Sequence, residues 1–544
     1  MRPFLTLHEP AKAREYYRRG LWREETLFDL LVSHATARPE TIAARDGQRR
    51  ITWAELLAWV QSVAAHLTEA GITGGDRVSI WSDNRLEAVV LFLAAARNGV
   101  ACNPSLHRTY TSAEVAHLLD RLDSKLLLTR PSWGADGRAG EIAPALSVRA
   151  KPDAAPRVIW TSATFPREGG VSTPPIANPD KVAYLAFTSG TTGTPKCVMH
   201  SDNSLLANAR DLARDWGHGP HSKILSLSPL SHHIAWVGVA QWLVSGAEFI
   251  TDDPPAGTSR LDWIIETGAT YVLGVPTHAM DILAEQQKLG LARLGKVQLF
   301  YMAGSPIPPT TAQAFVAQGI KPQNVYGMTE NSSHQYTHPT DDTRTIVTTC
   351  GRGGLAYEVR LFDPANADVE VPVGTVGQIG GRGAALMLGY FDNQTATEGS
   401  FNRDGWFMSG DLGLMTPSGN LEIVGRSKDL IIRGGHNIYP AEIEAFALRH
   451  AEVARCAAFP IADERLGERV CLAIIGEAQP DALLAHLAAE GLSKFDMPEY
   501  FVRVEAFPLT PSGKILKREL IEMARRGDLA TQSVRYVQNK DSKA

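Results

Sequence analysis

Residues 184–200 read YLAFTSGTTGTPKCVMH, an apolar run that passes directly into Thr188, Ser189, Gly190, Thr191, Thr192, Gly193 and Thr194, with Pro195 and Lys196 behind. The apolar run predicts a strand over 182–187, and the small hydroxyl residues predict a loop after it. Glycine permits backbone conformations that turn several N–H groups inward, and the Ser and Thr hydroxyls can donate beside them. With Lys196 as a cation, the loop suits a polyphosphate. It is not a Walker loop, because Gly190, Gly193 and Lys196 lie three residues apart and Cys197 follows the lysine. Taken alone, the stretch reads as a phosphate cradle or as an inert turn.

Working outward, LFDLLVSHATA and TWAELLAWVQSVAAHLTEAG have the period of amphipathic helices, and DRVSIWS reads as a strand. A helix is predicted from about Asn203 to Asp215, followed by strands in KILSLSPL, YVLGVP, VQLFYMAG and QNVYGMTE. This alternation predicts a parallel sheet covered by helices. Residues 153–179, rich in Pro, Ala, Ser and Thr, read as a surface connection. From about Thr349, EVRLFDP, VGQIGGRG, WFMSGDLGLM and LEIVGR predict a small β-rich subdomain, and mixed strand and helix follow from SKDLIIRGGHNIYP onward.

The chain has 544 residues, 44% hydrophobic and 21% charged, with a formal charge of -5. That is the balance of a globular protein with no call for nucleic acid. The N-terminus MRPFLTLHEPAKAREYYRRG lacks the apolar core of a secretory signal. The longest apolar run, Ala88 to Ala96, is far below the roughly 20 residues of a membrane span. Five scattered cysteines, never spaced as metal or redox pairs, fit reduced thiols, so a soluble cytoplasmic chain is expected.

Four further segments carry chemistry. In NVYGMTE (324–330), Tyr326 can pack against a purine, Thr329 can donate to phosphate and Glu330 can hold a hard cation. In WFMSGDLG (406–413), Asp411 can accept from both hydroxyls of a ribose. GRSKDLIIRGGHNIYPAEIE (425–444) and PLTPSGKILKREL (508–520) complete the set. Singly, each also reads as ordinary strand-end or turn chemistry.

In this order, the five segments resemble the adenylate-forming superfamily, which includes acyl- and aryl-CoA ligases, firefly-type luciferases and peptide-synthetase adenylation domains. SPLSHHIAWVGVAQWLVSGAEF, GVPTHAM, MAGSPIP and NVYGMTENSSHQYTHPTDD look most like bacterial cyclohexanecarboxylate-CoA ligases. The resemblance implies a large α/β domain of stacked subdomains with a small β-rich one (1–425), a hinge (426–428) with Lys428, and a small mobile α+β domain (429–544).

It further implies ATP and CoA as co-substrates with Mg²⁺. Thr188 to Lys196 would close over the β- and γ-phosphates, with Thr188 and Glu330 near the metal and Thr329 at the phosphates. Gly304, Ser305 and the segment Asn324 to Tyr326 with Gly327 would frame the adenine. Asp411, assisted by Arg426, would hold the ribose. Lys514 would bridge the attacking carboxylate and the α-phosphate, and Gly434, Gly435 and His436 would line the CoA tunnel. The acyl pocket would comprise His232, Trp236, Met302, Gly327 and Met328. Acetate-type ligases carry a tryptophan where Gly327 stands, so more room for the acyl group is expected there.

No aspartate stands in 229–238 to hold an amino group, which disfavours amino acids, and Asn437 replaces the serine of a carrier-protein site. The paired His232 and His233 find no third ligand at metal spacing. The expected product is the acyl-CoA of a mid-sized apolar acid, alicyclic in the first reading and medium-chain linear or aryl in the second. A luciferase-type oxygenase and a non-catalytic nucleotide binder of the same fold are the other readings. PLTPSGK (508–514) also fits the pattern at which related bacterial ligases are acetylated, which would make an acetyltransferase and a deacetylase partners at Lys514. A monomer or homodimer is expected.

Overall fold

The computed structural model describes residues 9–139, 143–151, 154–170, 173–188, 195–509 and 515–536. By its contacts, the chain divides into two compact units, one of 1–358 with 381–401 and one of 359–380 with 402–544.

Two sheets dominate the first unit. In the seven-stranded sheet the order is Gly389–Tyr390, Lys196–Ser201, Val182–Thr188, Ala101–Asn103, Arg77–Trp81, Leu126–Thr129 and Val158–Thr161. Its pairings from Val182–Thr188 to Val158–Thr161 are parallel, as the βαβ alternation predicts. The last strand lies within the stretch expected to be a surface connection. Val-Ile-Trp-Thr at 158–161 is short, but pairing along Leu126–Thr129 makes it an edge strand that propensity alone did not single out.

The eight-stranded sheet has the order Ser332–Tyr336, Lys321–Met328, Leu299–Ala303, Tyr271–Gly274, Lys223–Ser226, Glu248–Thr251, Ile42–Arg45 and Arg50–Thr52. Its inner pairs are parallel and its two outer pairs antiparallel. The helix Leu86–Arg97 is buried at every residue, so the apolar run at 88–96 is a core helix. The helices Leu27–Ala37, Trp53–Glu69 and Asp202–Trp216 lie where the periodicity places them, each opened by a Thr or Ser capping box.

In the second unit, Asn366–Glu370, Tyr357–Asp363, Val376–Gly383, Phe407–Met415 and Leu421–Arg426 form a five-stranded sheet, the expected β-rich subdomain. A further sheet is built on the long hairpin of Val453–Asp463 and Gly467–Gly476 and is flanked by the helices Pro440–Ala447, Pro480–Ala489 and Lys517–Arg526. All five cysteines are buried, and none of them forms a disulfide. Among the described residues, no helix is long and apolar enough to cross a membrane.

Candidate active site

The strands Val182–Thr188 and Lys196–Ser201 are antiparallel neighbours, and Thr188 lies directly opposite Lys196. Lys196 therefore opens a returning antiparallel strand, whereas the lysine of a Walker site stands at the start of a helix. Ser189 to Thr194 lie outside the described residues.

Met387 and Tyr390 hold Glu330. Its carbonyl accepts from Met387 N at 2.7 Å, and its carboxylate accepts from Tyr390 Oη at 2.9 Å. The neighbouring Asn331 donates its side-chain amide to Tyr357 Oη at 3.3 Å. Tyr390 also offers its ring to Lys196, whose Nζ lies 4.5 Å from the centroid. Burial and the adjacent Glu330 push the Tyr390 hydroxyl well above its ordinary value, so it remains a donor.

Behind the turn at 328–332 lies a histidine pair. His200 Nε2 donates to the Thr329 carbonyl at 2.7 Å, which leaves Nδ1 to accept from Ser204 Oγ at 3.0 Å. The His200 ring stacks on His233, with centroids 5.5 Å apart. His233 bonds Ser332 Oγ at 3.0 Å and Tyr184 Oη at 3.2 Å. Burial lowers His200 to about 4, against the pull of its bond to Thr329. Desolvation and His200 hold His233 far below the usual range, so both rings are neutral. His200 lies on the lysine strand and His233 opens the helix His233–Ser245, so the pair ties both elements to the Thr329–Glu330 turn.

Around the expected adenine site, Gly304 and Ser305 are exposed at the end of Leu299–Ala303, and Tyr326 is half-buried on Lys321–Met328. The side-chain amide of Asn324 donates to the Ile346 and Thr349 carbonyls at 2.8 and 2.9 Å and staples that segment. At Gly327 a Cβ would come 1.7 Å from the Ser332 carbonyl oxygen, so the close approach of the turn requires glycine there. Gly327→Ala is therefore expected to displace the turn and cut adenylate formation at least tenfold, readable as loss of pyrophosphate exchange.

The expected acyl residues divide. His232 stands at the N-terminal end of the helix His233–Ser245 without a side-chain cap bond and sets its ring edge-on to His107, with centroids 4.6 Å apart. Trp236 and Met302 are core residues at 1% and 0% exposure, and Trp236 donates to the Leu230 carbonyl at 2.6 Å. Met328 is half-buried in the same turn as Thr329. Burial and His232 lower His107 to about 3. His107, His200 and Tyr390 were not singled out by the sequence reading. For Tyr390, the one signal was an aromatic beside a glycine at 389–390, which spacing cannot distinguish from core packing.

In the second unit, Asp411 and Arg426 stand opposite one another on Phe407–Met415 and Leu421–Arg426, with Nε 3.2 Å from Oδ1. Lys428 is exposed in the short 3₁₀ turn Ser427–Asp429. Gly434 and Gly435 have φ of 60° and 85°, and nothing lies within 4 Å of a Cβ placed on Gly435. Next to them, His436 Nε2 lies 2.7 Å from Asp496 Oδ1. Lys514 lies outside the described residues.

The family model described as AMP-binding enzyme matches residues 31–391, and the AMP-binding enzyme C-terminal domain matches 442–514. The chain belongs to the AMP-binding enzyme family. The medium-chain fatty-acid–CoA ligase of Escherichia coli K12 is 29% identical over 95% of this chain and 93% of its own length. Human mitochondrial medium-chain acyl-CoA ligase ACSF2 is 31% identical over 88% and 83%. A Streptomyces salicylyl-CoA synthase / salicylate adenylyltransferase is 30% identical over 95% and 97%. Among solved structures, ATP-bound MatB from Rhodopseudomonas palustris superposes with a TM-score of 0.78 at 26% identity, covering 92% of this chain and 99% of that one. This AMP-binding enzyme is an AMP-forming acid–CoA ligase with the two-domain α/β fold that its motifs imply.

Proposed function

We propose that the enzyme converts a mid-sized apolar carboxylic acid, alicyclic and cyclohexanecarboxylate-like, to its acyl-CoA through an acyl-adenylate. The observation that carries the reading is the arrangement about the 328–332 turn. Lys196, Thr329 and Glu330 meet there through Tyr390 and His200, beside the start of the helix His233–Ser245. That helix begins at His232 with no side-chain cap, an end that favours a carboxylate. Glu330 is 9% exposed, and a carboxylate so placed fits a hard cation bound with the nucleotide. Thr188 and Glu330 would hold Mg²⁺, whose chemistry is to neutralise charge on the phosphates.

In the first half-reaction a carboxylate oxygen of the acid bonds to the α-phosphorus of ATP, and the bond to the bridging oxygen of pyrophosphate breaks. Lys196 and the hydroxyl loop attract the departing pyrophosphate, Lys514 offsets the repulsion between the two reacting anions, and Asp411 with Arg426 holds the ribose. In the second half-reaction the CoA sulfur bonds to the acyl carbon and AMP leaves. The turn at Gly434–Gly435 gives the thiol arm a close approach to backbone. Lys428 is proposed as the pivot that exchanges Lys514 for this turn. A cytoplasmic location goes with the reading.

The second reading, a linear medium-chain or aryl acid, is favoured by the names of the relatives above. A panel of cyclohexane-, cyclohexene- and benzoate-type acids with linear C6 to C10 acids, scored by kcat/KM for CoA thioester formation, separates the two. The alicyclic acids are expected to lead by at least about tenfold, the discrimination a few methylenes allow in an apolar pocket. A lead for the linear acids would overturn the ring preference and leave the reaction intact.

A further inference from the structure

We infer that Tyr390 is a positioning residue of the adenylation half-reaction, setting the Lys196 ammonium and the Glu330 carboxylate against one phenol. This rests on the adenylation reading above. Its backbone is fixed first. Gly389–Tyr390 pairs antiparallel with Lys196–Ser201, placing Tyr390 opposite Val198, and Phe391 N donates to the Cys197 carbonyl at 2.7 Å. Tyr390 N donates to Thr397 Oγ1 at 2.9 Å. Tyr390 is 3% exposed, so its side chain has little freedom to leave.

The phenol serves two charges by different means. Its hydroxyl donates to Glu330 Oε1 at 2.9 Å, a charge-assisted bond, while its face receives Lys196 Nζ at 4.5 Å. The same short segment also holds the Glu330 backbone through Met387 N. The lysine lies on one sheet and the glutamate follows the strand Lys321–Met328 of the other, so Tyr390 is the side chain through which the two sheets fix the distance between these charges. In adenylation, the cation faces a departing polyphosphate and the anion faces its metal, and a displacement of about 1 Å between them costs rate steeply.

The test compares Tyr390→Phe, which keeps the ring face and removes the donor, with Tyr390→Leu, which removes both. Acid-dependent pyrophosphate exchange, thioester formation from supplied acyl-adenylate, MgATP binding by calorimetry without acid, and the melting temperature are measured on the full chain. Tyr390→Phe is expected to slow exchange about tenfold and Tyr390→Leu about a hundredfold, as losing one and two charge-assisted contacts predicts. MgATP binding should weaken in the same order, and the thioester step should stay within about twofold of wild type. Equal slowing of both half-reactions, or a lower melting temperature with unchanged exchange and MgATP binding, overturns the inference. If wild type exchanges pyrophosphate and Tyr390→Phe matches it, Tyr390 alone loses its role. Failure of wild type to exchange with every acid tested overturns the adenylation reading itself.

Discussion

Lys514→Ala is expected to lower acid-dependent pyrophosphate exchange by about 10²- to 10³-fold while thioester formation from supplied acyl-adenylate stays near wild type. The reason is electrostatic. A carboxylate and the α-phosphate are both anionic, and a lysine with an ordinary pKa near 10.4 carries its charge throughout the neutral range. Its removal leaves their repulsion uncompensated only while the two must meet. The thiol of the second half-reaction attacks a neutral acyl carbon and has no such need. Acetylation of Lys514 should reproduce the alanine phenotype, since it removes the same charge, and deacetylation should reverse it. Equal loss in both half-reactions would show that Lys514 serves the fold or the domain movement rather than the first step.

The second large effect is on stability. His107, His200 and His334 are buried and held at about 3, 4 and 3 by loss of solvation. A histidine whose folded value lies below its unfolded value of about 6.5 stabilises the fold above pH 6.5. That stability is lost as the pH falls toward the folded value, because only the unfolded chain takes up the proton. At pH 5.5 each such histidine costs about 1.4 kcal/mol, roughly 4 kcal/mol for the three, a large part of a typical domain's stability. Asp202 and Asp211, raised by burial, act in the opposite direction. The urea midpoint is expected to drop clearly between pH 7.5 and 5.5, and an unchanged midpoint would show that the histidines do not outweigh the two aspartates.

His334 gives a sharper check. Its ring lies against Tyr357 at 4.3 Å and Tyr326 at 5.4 Å, and neither nitrogen has a hydrogen-bond partner among the described residues. His334→Phe keeps the aromatic packing, removes two unsatisfied polar atoms, and should raise the midpoint most at pH 5.5.

The five motifs were legible because each is a local statement: glycine where backbone must approach closely, hydroxyls where an anion needs donors, an acid where a cation or ribose needs oxygen. Asp411 and Arg426 show this well, since a hairpin brings them opposite one another with no help from distant elements. Gly327 shows the limit. The resemblance to acetate-type ligases suggested acyl room there, but the oxygen that forbids a side chain belongs to Ser332, placed there by the return of the chain along Ser332–Tyr336.

The same division runs through the molecule. Composition with the helical and strand periods determined by themselves an α/β chain, because these depend on residues close in sequence, and the ordered motifs carried the resemblance that implied an adenylate-forming chemistry. Only the tertiary structure decided that His200 and His233 brace the Thr329–Glu330 turn, and that one tyrosine, 60 residues beyond Glu330, touches both it and Lys196. Those contacts join separate sheets, and no period or spacing along the chain encodes which strands a sheet will set side by side.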